Sequence, residues 1–165
     1  MAHDGSLASN AEAWLITTIG GITEIPAANV VPFEGLIAHD HVGQILEQLR
    51  GKRSPWVTVM FQGFDPRETT EGNQDYALMF AVWVTVQNER EGAARIGEAG
   101  TPVKAGTNLL TERIIAALDN ATPPTAGTVL AGDQVQVQPG KTLAFTKGVS
   151  TVEIAVTILA SRLTT

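Results

Sequence analysis

Cysteine is absent from this 165-residue chain. Its absence excludes disulfides, thiolate nucleophiles and cysteine-ligated zinc or iron–sulfur sites, and it is compatible with a reducing cytoplasm. Charge is sparse, at 17% of residues with a net of −6, and Lys and Arg nowhere form a run. A net acidic surface repels phosphate, so tight binding to nucleic acid or to an anionic membrane is disfavoured. No stretch reaches the roughly 18 apolar residues of a membrane helix. Met1-Ala2-His3-Asp4-Gly5 opens without a basic patch ahead of an apolar run, so no signal peptide is expected. Hydrophobic residues make up 44% of the chain, which disfavours global disorder. A chain of this length buries roughly 70% of the surface it exposes when unfolded. The expectation is a single soluble domain over residues 1–165, with 1–9 as a flexible N-terminal extension.

What is present alternates between the two main periodicities. Leu7, Ala11, Trp14, Leu15 and Thr18 fall near helical spacing, and Gly20-Gly21 stops the pattern, predicting a helix over about Ser6 to Ile19. Ile22 to Gly35 carries Pro26 and Pro32 and reads as extended, with a short strand near Asn29 to Phe33. Val42, Ile45, Leu46 and Leu49 predict a second, short helix that Asp40 could cap and Gly51 closes. Pro55 to Phe64 is β-branched and aromatic and reads as a strand partly buried on both faces.

Asp65 to Asp75 reads as a polar connection and Tyr76 to Asn88 as a long strand, the two strands fitting an antiparallel hairpin. Glu89 to Thr101 is a charged, glycine-bearing loop. Thr101-Pro102 supplies an N-cap and a first-turn proline, predicting a helix that ends near Asp119-Asn120, with Leu110, Ile114, Ala117 and Leu118 inward. Val135 and Val137 begin a β region, Pro139-Gly140 reads as a turn, Leu143 and Phe145 alternate again, and Val149 to Ser161 is a long final strand. Strands come in runs between helices, so the fold class is α+β: a mixed, mostly antiparallel sheet of about four to five strands with helices packed on one face.

Catalytic patterns are weak. His39-Asp40-His41 supplies metal-ligand types, but i and i+2 do not share a helical face and no third ligand follows, so a polar helix start in a loop is the simpler reading. His3 falls in the terminus. Gly148-Val149-Ser150-Thr151 lies at a strand entrance and is not the strand-to-helix elbow of a serine hydrolase. Gly97-Glu98-Ala99-Gly100 places a carboxylate where a phosphate would dock, and Lys104 is not followed by Ser or Thr. The carboxylate pairs Glu68 with Glu71 and Glu89 with Glu91 lie in polar loops, where they read as solvated charges or as contacts to a partner's basic groups. Trp14 and Trp83 read as core. Trp56, at a strand start after Pro55, reads either as core or as an exposed interface anchor. No catalytic, cofactor or metal residues are assigned, and the chain is not expected to be an enzyme.

Three stretches carry a resemblance. They are Pro55-Trp56-Val57-Thr58-Val59 with Gly63; Met79 to Val86 passing into Gln87-Asn88-Glu89-Arg90 and Ala94-Arg95-Ile96-Gly97; and the helix with Gly106, Leu109-Leu110, Ile114 and Ala117-Leu118 beside Asp119, followed by β segments. In this organisation, over most of residues 10 to 161, the chain resembles the bacteriophage tail-terminator proteins, in particular those of Mu-like phages and prophages. The match is one of residue classes. It departs from the family where Gly106-Thr107-Asn108 stands in place of a Gly-aromatic pair.

The resemblance implies a structural virion protein that forms a hexameric ring on the tail tube, ends its polymerisation and meets the head–neck connector. The implied partners are further copies of the chain, the tail tube protein, the connector and, in a contractile tail, the sheath. No cofactor and no membrane are implied, and DNA would pass through the ring lumen without specific binding. The location is the virion, with assembly in the host cytoplasm. The residues expected at partner contacts are Trp56, Asp65, Arg67, Glu68, Glu71, Glu89, Arg90, Glu91 and Arg95. The long strands Tyr76 to Asn88 and Val149 to Ser161 are expected to offer edges for pairing between subunits. The alternatives are another head–tail junction or tail structural protein, and a small α+β enzyme or ligand-binding domain.

Overall fold

The fold was described from a computed structural model. The structure describes residues 6–33, 43, 47, 54–66, 73–88, 92–98, 105–119, 121–123, 129–146 and 148–163. Helix α1 (Leu7–Gly20) begins where the Ser6 hydroxyl accepts from the Ser9 N–H, and it buries Ala11, Leu15 and Ile19, one residue per turn. Leu7 to Ser9, expected in a flexible extension, are thus the first turn of a capped helix. A 3₁₀ turn (Ala27–Asn29) leads into β1 (Val30–Pro32). Of the predicted second helix only Gly43 and Glu47 are among the described residues, and both are helical.

Strands β2 (Trp56–Pro66) and β3 (Asn73–Gln87) form the expected antiparallel hairpin, longer than the sequence pattern because Asp65, Pro66 and Asn73 to Asp75 all pair. A single helical turn, α2 (Ala93–Ile96), interrupts the expected loop and buries Ala93 and Ala94. Helix α3 (Thr107–Asp119) follows, then β4 (Val129–Thr146) and β5 (Val149–Leu163). The expected start of α3 at Pro102 is corrected, since Ala105 and Gly106 are not helical. Gly106 lies against the α2 backbone, where a Cβ would come within 2.4 Å of the Arg95 carbonyl oxygen.

The strands form one open, mixed sheet in the order β1-β2-β3-β5-β4, in which only β1 with β2 is parallel. The fold class is therefore the expected α+β, and the sheet does not close into a barrel. One face carries Val57, Val59, Phe80, Val82, Ile154 and Val156, and both α1 and α3 pack on it through Leu15, Ile19, Leu110, Ile114 and Leu118. Strand alternation thus sorts the apolar residues onto the helix side, and burying each such side chain is worth about 1.5–3 kcal/mol.

The opposite face is also buried at one end. Trp56, Met60, Ala81 and Trp83 cluster there with Phe33, whose ring meets Trp83 edge-on at 5.3 Å.

The expected turn at Pro139-Gly140 is corrected too. Both residues lie inside β4, where one extra residue is accommodated between Gln138 and Lys141 opposite Ala155 and Glu153. β4 is the outermost strand, so an imino nitrogen there need not cost a ladder bond. The chain turns instead between Thr146 and Val149, where Gly148 has φ 77°. A side chain is strained at that φ, and glycine is not.

Candidate assembly surface

Hydroxyls line the end of the sheet where β5 begins. The Thr107 and Ser150 oxygens are 2.9 Å apart, and those of Thr85 and Thr151 are 3.0 Å apart, all four side chains being buried. Ser150 is thereby committed to the first turn of α3. It ties helix to sheet and is not presented as a nucleophile. On the opposite face the Trp83 indole N–H donates to Glu153 at 2.7 Å, a charge-assisted bond that holds β3 to β5. The local pattern of neither residue announces this bond, which needs the register Trp83 opposite Glu153.

Two polar groups beside it are unpartnered: the Trp56 indole nitrogen and the Thr58 hydroxyl are buried without a hydrogen bond. An unsatisfied buried hydroxyl costs about 1–3 kcal/mol. Thr58→Val keeps the shape and removes that cost, so we expect it to raise the unfolding free energy by about 1 kcal/mol in urea titration. An equal loss would show that the hydroxyl is bonded in solution.

Of the residues expected at partner contacts, the structure separates three. Asp65 is exposed near the end of β2, and Arg95 is exposed on α2. Trp56 is only 2% exposed. Its reading as an exposed anchor is corrected, because Met60, Trp83 and the chain from Val31 to Phe33 enclose it on the second face. Arg67, Glu68, Glu71, Glu89, Arg90 and Glu91 lie outside the described residues, as do His3, His39, Asp40, His41 and Lys104. Glu98, in the glycine-bearing stretch after α2, accepts from the Asn88 side-chain amide at 3.1 Å. Among the described residues no group of three or more His, Asp or Glu gathers as a metal site would, and no helix is long and apolar enough to cross a membrane.

The expectation that β3 and β5 offer free edges is overturned by the strand order. β3 is paired on both sides, by β2 and β5, and β5 on both sides, by β3 and β4. Two other stretches are left at the rim. β1 lies along β2 only from Val57 to Val59, so the far end of β2 runs on without an outer neighbour among the described residues. Among the described residues β4 has none on its outer side. Beside the far end of β2 stand the large exposed apolar side chains Phe64 (58%) and Met79 (39%), Phe64 resting edge-on against Tyr76. Ile96 (65%) is exposed on α2. The chain matches no protein-family model and no curated protein.

Proposed function

We propose that this protein is a structural component of a phage tail, a terminator that closes into a ring on the tail tube, ends its growth and presents a surface to the head–neck connector. The observation that carries the reading is the open sheet, whose two rims have free stretches among the described residues. A ring of identical subunits needs two different, mutually complementary surfaces on each copy, and a sheet with unlike edges supplies such a pair. The order of elements supports it as well: a capped helix, a hairpin of long strands, a second helix on the same face and a second long hairpin. The net charge of −6 suits a lumen through which DNA slides without sticking.

The test is assembly. Native mass spectrometry and electron microscopy of the purified protein across a concentration series should show a closed ring of about six copies, the cyclic symmetry expected of heterologous contacts. A strict monomer at every concentration overturns the reading. Removing the gene from the phage distinguishes the junction roles: overlong or unjoined tails mark a terminator, and absent tubes mark a tube protein.

A further inference from the structure

We infer that the subunits join by strand pairing between the outer edge of β4 in one copy, at Val135 to Gln138, and the far end of β2 in the next, at Gly63 to Asp65. The inference rests on the ring reading and adds the contact itself.

Among the described residues each rim has one flat stretch between features that blunt the rest. On β2, β1 occupies the outer position up to Val59, a bulge falls between Phe61 and Gly63, and Pro66 ends the strand. On β4, the register shifts between Ala131 and Val135, again between Gln138 and Lys141, and again between Thr142 and Ala144. Only Val135 to Gln138 keeps step with β5 over four residues. Bulges and prolines on an edge prevent indiscriminate pairing, so the stretches without them are where a partner strand can add. The free stretch is three residues on β2, Gly63 to Asp65, and four on β4.

Their directions match as well. β2 is antiparallel to β3, β3 to β5 and β5 to β4. β2 and β5 therefore run one way, and β3 and β4 the other. Setting β4 of one copy beside β2 of the next continues the alternation, and the pairing is antiparallel, the favoured kind. It satisfies both rims at once, whereas β4 on β4 or β2 on β2 makes a closed dimer and leaves the other rim bare. Phe64 lies within the proposed seam at 58% exposure, giving the contact an apolar component beside the backbone bonds. With three residues on one side and four on the other, the seam is short, and many identical seams in a closed ring are needed to hold it.

Because the chain has no cysteine of its own, introduced thiols report without background. Asp65→Cys is combined in turn with Gln136→Cys and with Gln138→Cys, and each protein is treated with a short bis-maleimide at a concentration where wild type shows rings by native mass spectrometry. At least one pair should give a ladder of covalent oligomers that stops at the ring size, while the single variants stay monomeric on a denaturing gel. Rings without a ladder from either pair overturn the seam and leave the ring reading intact. A covalent dimer from Asp65→Cys alone overturns it in favour of like-on-like pairing. Absence of rings for wild type at any concentration overturns both.

Discussion

Replacing Phe80 with alanine is expected to lower the unfolding free energy by about 3–5 kcal/mol, the range for removing a buried phenyl group from a core. Phe80 lies mid-strand in β3, 1% exposed, with Phe61 opposite on β2 and Val156 opposite on β5. Its ring centroid is 5.3 Å from that of Phe61, at an interplanar angle of 54°. The ring belongs to the same cluster as the inward faces of α1 and α3. Truncation opens a cavity between layers that the strand ladder prevents from collapsing. Typical domains are stable by only about 5–15 kcal/mol, so the variant should show a much earlier urea midpoint with an unchanged slope. Phe80→Leu, which keeps most of the volume, should cost about 1.5 kcal/mol or less. A loss below about 1 kcal/mol for the alanine variant would mean that the helices do not close over this face as described.

Gly106→Ala is the second large effect, with an expected loss of about 3 kcal/mol, the upper end of the usual cost of overpacking. A methyl group at this position would meet the Arg95 carbonyl oxygen and the Gly97 nitrogen, each at 2.4 Å. Both are backbone atoms, so no side-chain rotation relieves the clash, and α2 must move off α3. Gly106 stands at the N-cap and outside the helix, where alanine is less favourable than glycine, so no gain in helix propensity offsets it. Urea unfolding monitored by tryptophan fluorescence reads the loss. A neutral or stabilised Gly106→Ala would show that α2 is not seated on the start of α3. Leu110 donates its N–H to the Gly106 carbonyl, so the same residue is both the first acceptor of the helix and the point of closest approach to its neighbour.

How much of this was legible in the residues varies by element. β2, β3 and β5 could be read from their alternation because the physical pattern has period two there: Val57 and Val59, every second residue from Leu78 to Val86, and Ile154, Val156 and Ile158 turn to the helices. α1 was legible for the same reason at helical spacing. β4 was not, because each extra residue between Ala131 and Ala144 shifts the alternation and a Pro-Gly pair in a bulge looks the same as one in a turn. The start of α3 was misplaced because Thr101-Pro102 satisfies the local rules for a helix start, whereas the closeness of α2 at Gly106 is a tertiary fact.

The rim of the sheet was hidden for a related reason. Long apolar strands looked like free edges, but length and hydrophobicity on both faces are what central strands need. Trp56 was ambiguous because its enclosure depends on Trp83 and Phe33, 27 and 23 residues away in sequence (83 − 56 and 56 − 33). Asp65, read as the start of a polar connection, lies instead in β2, where it pairs with Ala77 and is exposed.

The order β2-β3-β5-β4 has a kinetic consequence. Each hairpin is local: Pro66 pairs with Tyr76, ten residues on (76 − 66), and Thr146 with Val149, three on (149 − 146). The seam that joins them is not. Gln87 faces Val149 and Asn73 faces Leu163, separations of 62 (149 − 87) and 90 (163 − 73) residues. Closing the shorter of these costs roughly 1.6 kcal/mol more chain entropy than closing the first hairpin, at about 0.6 kcal/mol per doubling. Contacts of such range place a domain among the slower folders. The long-range contacts are therefore in the middle of the sheet, where the two hairpins must find each other, with α3 in the stretch of chain between them.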